Sequence, residues 1–231
     1  MMMALSRYGF REWLTISVVA VLASVVSLWF GAWYLVIPIG LAWCAGGAFF
    51  RDPLGRRPAT GEDSDMVSPA DGRISAIEDV DHHEATNGPA RIIRIFLSVL
   101  NVHVNRMPCD GTIAGRIYKP GRHLDARTEE SARVNESMLV MLEITTGETI
   151  GIRQVSGAIA RRIVCRAEQG QHFTRGERYG MIKFGSTTEL ILPRPTDVTT
   201  RVTVGQKVTG GVTILATLGE ASDQAARSSA P

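Results

Sequence analysis

Cysteine is scarce in this chain: Cys44, Cys109 and Cys165 are odd in number, widely spaced and without metal-ligand spacing. They allow neither a disulfide framework nor a thiolate zinc site, and they are compatible with a reducing compartment. Also missing are a nucleotide-binding glycine loop, a metal-ligand cluster and an identifiable pyridoxal phosphate site. No metal site is therefore indicated, and nothing points to nucleic acid as a partner. The sharpest absence is of charge, because no charged side chain stands between Trp13 and Phe50.

Those 38 residues would extend about 57 Å as one helix at about 1.5 Å per residue. A hydrocarbon core is about 30 Å thick, so two spans are expected, about 13–30 and 33–50. Gly31, Pro38 and Gly40 supply breaks, while Trp29, Trp33 and Tyr34 suit an interfacial turn. The run is too long for a secretory signal, and no small-residue cleavage site precedes a mature domain. Arg7 and Arg11 flank it on one side, and Arg51, Arg56 and Arg57 on the other. Basic flanks at both ends predict a hairpin with both termini in the cytoplasm, drawn to anionic headgroups. The competing reading is a buried helical hairpin in a soluble protein.

Residues 1–57 are accordingly expected to form a membrane anchor, 58–65 a linker and 66–220 a soluble domain, with an Ala/Ser-rich tail over 221–231. The soluble part shows short β-type runs at 72–80, 90–100, 112–118, 137–145, 149–155, 157–167, 189–192 and 199–204, punctuated by glycine and proline. That rhythm predicts a mainly β fold, a sandwich or barrel. One helix is expected over 128–135, with Thr128 as N-cap and Glu129 and Glu130 in the first turn. The stretch from Val204 to Leu218 has the cadence of biotinyl and lipoyl domains. Lys207 lies in a turn-like VGQKV segment, so this stretch is read as architecture.

The chemistry concentrates in Gly176–Thr187, GERYGMIKFGST. Gly-Ser-Thr alone usually makes a turn. In its longer context it resembles the processing site of phosphatidylserine decarboxylases, whose precursors are cut before the serine of an Xaa-Gly-Ser-Thr motif. Four further segments resemble that family in order: Ser68–Gly72 (SPADG), Asn101–Pro108 (NVHVNRMP), Gln154–Gly157 (QVSG) and Ala160–Ile163 (ARRI). The resemblance runs from Phe50 to about Leu218 and is to the family's short form.

The resemblance implies a proenzyme cut between Gly185 and Ser186, leaving chains 1–185 and 186–231 as a heterodimer. Ser186 becomes a covalent pyruvoyl cofactor, and phosphatidylserine in the membrane is decarboxylated to phosphatidylethanolamine through a Schiff base. Asp71, His103 and Ser186 are the implied maturation triad, a hydroxyl needing a base and the base an orienting carboxylate. One of Arg161 and Arg162 is expected to hold the substrate phosphate through its guanidinium fork. Arg106 departs from the pattern, standing where long members carry the maturation histidine. Each residue also has a plainer reading: Asp71 before Gly72 as a turn aspartate, His103 as a hydrogen-bonded structural histidine, and the arginines as exposed strand residues. His82, His83 and His172 are read as non-catalytic. Two other functions compete, a membrane-tethered carrier module modified on lysine and a membrane serine hydrolase using Ser186.

Overall fold

A computed structural model describes residues 3–57, 62–158, 162–183 and 185–219. The chain opens with β1 (Met3–Leu5), runs through α1 (Phe10–Trp29) and returns through a 3-10 turn at Trp33–Leu35 and α2 (Val36–Phe49) to β2 (Arg51–Pro53). β1 and β2 pair antiparallel, so both ends of the helical hairpin close on the same place. The reversal is made at Gly31, whose φ of +72° places it after a Schellman cap: Gly31 N–H donates to the Leu28 carbonyl (3.0 Å) and Ala32 N–H to that of Ser27 (2.8 Å). Pro38 and Gly40, expected as breaks, lie inside α2. Pro38 falls in the first turn, where a missing N–H costs nothing.

α1 is 20 residues long, apolar, and buries none of its residues. At about 30 Å it can cross a hydrocarbon core by length and composition. The second apolar segment, Trp33–Phe49, is shorter. The two helices are held together by Trp13 against Trp43, with centroids 5.4 Å apart, and by Trp43 Nε1 donating to Ser17 Oγ at 2.9 Å. Gly46 and Gly47 permit the approach, since a Cβ at Gly47 would stand 3.0 Å from Trp13 Nε1.

The rest is β: β3 (Asp65–Val67), β4 (Gly72–His83), β5 (Gly88–Leu97), β6 (Val104–Arg106), β7 (Gly111–Lys119), β8 (Ser137–Glu143), β9 (Thr149–Val155), β10 (Arg162–Cys165), β11 (His172–Phe173), β12 (Arg178–Lys183), β13 (Ser186–Pro193), β14 (Val198–Thr200), β15 (Lys207–Val208) and β16 (Ile214–Leu218). A curled eight-stranded sheet has the order β11-β7-β8-β9-β13-β5-β4-β15, and β10-β12-β6 and β14-β16-β3 form two smaller sheets. The mainly β expectation holds. The one helix expected in this part is α3 (Glu129–Val134), capped by Thr128 Oγ1, which accepts from Ser131 N–H at 3.3 Å.

β13 is the strand that organises the site. All eight of its residues are buried, as befits a central strand covered on both faces. Ile93, Ile95, Leu97, Ile150, Ile152, Leu190 and Leu192 form the core around it. Its one charge, Glu189, is fully buried between Arg94 (2.8 Å) and Arg153 (2.6 Å), which meets the demand that a buried charge be paired. The run expected at 90–100 ends as a strand at Leu97, because Asn101 Oδ1 accepts from Ser98 N–H (2.9 Å) and Ser98 Oγ (2.7 Å) and turns the chain. Of the run at 157–167, only Arg162–Cys165 is strand among the described residues.

Candidate active site

The chain passes from β12, in a three-stranded sheet, to β13, in the eight-stranded one, across residues 184 and 185. Phe184 lies outside the described residues. Gly185 makes the crossing with φ +56°, a left-handed conformation that glycine adopts without steric cost. Ser186 follows as the first residue of β13, paired to Leu97 of β5. Its side chain is fully buried, and Oγ finds no hydrogen-bond partner among the described residues. Such a group needs a chemical or structural reason.

His103 comes from the loop between β5 and β6. Its Nε2 accepts the Gly185 N–H at 3.3 Å, and its Nδ1 lies 2.9 Å from the Asn101 carbonyl. A carbonyl only accepts, so Nδ1 carries the proton and Nε2 keeps the lone pair directed at residue 185. Phe49, at the end of α2, covers the ring at a centroid distance of 4.4 Å. Burial pushes the imidazole down to about 4, Arg51 adding to the shift and Asp71 opposing it. His103 is therefore neutral near pH 7.

Asp71 has different partners. Arg56 grips both carboxylate oxygens, with Nη2 at 2.9 Å from Oδ2, and Gly210 N–H donates to Oδ1 at 2.8 Å. The hydrogen bond that orients His103 thus runs from its Nδ1–H to the Asn101 carbonyl, and Asp71 bears on the ring through space. Arg106 is buried as an ion pair with Asp52 at 2.8 Å, and Asp52 also holds Arg178 at 2.5 Å.

Around the crossing, Gly157 packs so tightly that a Cβ there would stand 2.2 Å from the Gly185 carbonyl oxygen. Neighbouring Ser156 Oγ lies 3.1 Å from His123 Nδ1, and its carbonyl accepts from Asn135 Nδ2 at 2.9 Å. Thr187 Oγ1 donates to the Ala126 carbonyl at 3.3 Å. Below them a buried polar chain runs from Gln154 Nε2 to Asn105 Oδ1 (2.9 Å) and from Asn105 Nδ2 to Thr188 Oγ1 (3.0 Å). A cavity of about 370 Å³ opens on Gly185, walled by Phe96, Ser98, Val99, Asp125, Ala126, Arg127 and Ala158.

Ser186, Gly185 and His103 are thus brought together, with Asp71 held nearby by Arg56. Arg162 is exposed at 3.8 Å from Glu12, and Arg161 lies outside the described residues. His83 caps a turn, its Nδ1 accepting from Ala85 N–H at 3.1 Å, and His172 faces Thr112. Sequence reasoning missed Asn101, His123 and Arg56. Asn101 acts at His103 through a backbone carbonyl, which has no sequence signature, and His123 stands alone in a turn-rich segment. No group of metal-binding side chains occurs among the described residues.

A family model described as phosphatidylserine decarboxylase matches residues 47–216. Three curated relatives, each called phosphatidylserine decarboxylase proenzyme, are similar to the chain. The one from Wolbachia sp. subsp. Brugia malayi (strain TRS) is 44% identical over 180 residues, covering 76% of each chain. That from Rhodopirellula baltica is 40% identical over 212 residues, 91% of this chain and 86% of its own. That from Magnetococcus marinus is 37% identical over 195 residues, 84% of this chain and 86% of its own.

Proposed function

Because this chain belongs to the phosphatidylserine decarboxylase family of carboxy-lyases, we propose that it cuts itself between Gly185 and Ser186 and then decarboxylates phosphatidylserine to phosphatidylethanolamine through a pyruvoyl group made from Ser186. The observation that carries the reading is the buried, unpartnered Ser186 Oγ beside a left-handed Gly185 whose N–H rests on a neutral His103.

In this reading His103 takes the Ser186 hydroxyl proton and Oγ attacks the Gly185 carbonyl carbon. The peptide C–N bond breaks as the ester C–O bond forms, and His103 returns the proton to the departing Ser186 nitrogen. Loss of the Ser186 α-proton then expels the Gly185 carboxylate and leaves a dehydroalanine, and water converts that residue to the ketone with release of ammonia. Asp71 favours the transient imidazolium through space. The residues present fit the product, since the group arises in place from an unpaired buried side chain that adjoins the cavity at Gly185. A pyruvoyl ketone supplies an electrophile for the substrate amine and a sink for the electrons left when carbon dioxide departs. One of Arg161 and Arg162 is assigned the substrate phosphate.

Chain 186–231 would stay in place after the cut, because β13 lies between β5 and β9 in the central sheet. The hairpin would hold this heterodimer at the cell membrane with the catalytic domain in the cytoplasm. Reporter fusions at the two ends of the hairpin should then report the same side. A lysine-modified carrier is disfavoured because Lys207 sits in β15 beside Arg73 of β4 and not at a hairpin tip. A serine hydrolase is disfavoured because Ser186 is fully buried. Intact-mass analysis tests the proposal: the parent should give two chains with a pyruvoyl terminus at residue 186, and Ser186→Ala one uncut chain. Normal cutting of that variant would sink it.

A further inference from the structure

Val99 and Leu100 are 46% and 80% exposed, an apolar tip on a protein whose other large apolar exposures belong mostly to α1 and α2. The tip is not slack. Asn101 N–H donates to the Ser98 carbonyl at 2.9 Å, and the Asn101 side chain accepts from both Ser98 donors. Residues 99 and 100 are thereby held outward. Arg51 fixes the height of this turn: one guanidinium nitrogen donates to the Ala48 carbonyl at the end of α2, at 2.6 Å, and the other to the Leu100 carbonyl. The turn therefore stands level with the end of the apolar hairpin. Val99 also lines the cavity that opens on Gly185, and the ionic pair of Asp125 and Arg127 lines it too.

We infer that the Ser98–Asn101 turn dips into the lipid surface beside the hairpin, so that the mouth of the Gly185 cavity opens at the headgroup layer. This rests on the reading of the hairpin as a membrane anchor. The arrangement matches an interface with acyl chains on one side and charged headgroups on the other. Val99 and Leu100 meet the acyl region, and Asp125 and Arg127 meet the headgroups. A phospholipid headgroup could then reach residue 186 with its acyl chains left in the bilayer.

The test uses the full chain in vesicles of phosphatidylserine and phosphatidylcholine. A Cys44→Ser background carries Leu100→Cys or Thr146→Cys labelled with an environment-sensitive fluorophore. Thr146 serves as reference because it lies in the turn joining β8 to β9, at the end of those strands away from Ser186. The label at 100 should be blue-shifted, quenched by nitroxide-bearing lipids and shielded from iodide, while the label at 146 shows the reverse. Iodide quenching at 100 as complete as at 146 overturns the inference. No turnover is needed, so this failure is separable from failure of the decarboxylase reading. In active protein, Leu100→Asp should lower the rate on bilayer phosphatidylserine several-fold relative to a monomeric short-chain form. A ratio unchanged from the parent also overturns it.

Discussion

His103 is buried, and its imidazole is pushed down to about 4, whereas the unfolded chain should titrate near 6.5. Between these values the unfolded state binds the additional proton. Stability is therefore fully present above about pH 6.5 and is lost as pH falls towards 4, by up to about 3 kcal/mol. The Ser186→Ala precursor in detergent should melt several degrees lower at pH 5 than at pH 7, and His103→Gln should flatten that dependence. A parent profile as flat as the variant's would mean that the ring stays solvated. Gly157 gives a second residue-level expectation. A Cβ at 157 cannot share space with the Gly185 carbonyl oxygen, so Gly157→Ala must displace the Gly185–Ser186 peptide, the bond proposed to be cut. A shift of about 1 Å in a reacting group costs about a hundredfold in rate, and the half-time of precursor cleavage should lengthen accordingly. The Gly185–Ser186 junction could be singled out in the sequence because a long motif surrounds it. The Asn101 carbonyl and the Gly157 contact could not, since backbone groups and close approaches are set by tertiary structure.

Among the elements, the strands legible in the sequence were the long alternating ones: β9 matched its expected run, and β4, β5, β7 and β8 differed mainly at their ends. The short strands β3, β6 and β15 carry too few residues for a period to show. β12 hid in the glycine-rich segment 176–187, where Gly180 is required because a Cβ would stand 2.3 Å from the Val164 carbonyl oxygen. The segment after α2 was read as a basic membrane flank, yet Arg56 is buried to 5% side-chain exposure against Asp71. Removing one partner of such a pair strands a charge and costs about 3–5 kcal/mol, whereas replacing both by apolar groups can be neutral. Arg56→Met should therefore lower the melting temperature and slow precursor cleavage. Arg56→Met/Asp71→Leu should regain the melting temperature but not the cleavage rate. Recovery of both would reduce Asp71 to a structural role.

At the scale of the molecule, the helical hairpin and the β-rich part share one packed interface. Tyr8, Phe49 and Phe50 join Val102, Val104 and Met181 in a single apolar cluster, and Tyr8 Oη donates to the Arg178 carbonyl at 3.1 Å. Lys183, three residues before Ser186, pairs with Glu12 at the foot of α1. Phe49 covers the His103 ring, so burial of the proposed base depends in part on the hairpin. A pure tether would be dispensable for maturation in detergent and replaceable by any transmembrane helix. This interface predicts otherwise. Deleting residues 1–50 exposes His103 and leaves Lys183 without Glu12, so the truncated chain should cleave slowly or incompletely. A foreign single-span helix fused before Arg51 should restore membrane attachment without restoring the cleavage rate. Cleavage of the truncated chain at the parent rate, followed by mass analysis over time, would show that the hairpin only holds the enzyme at the membrane and that the packing of Phe49 on His103 is incidental to the chemistry.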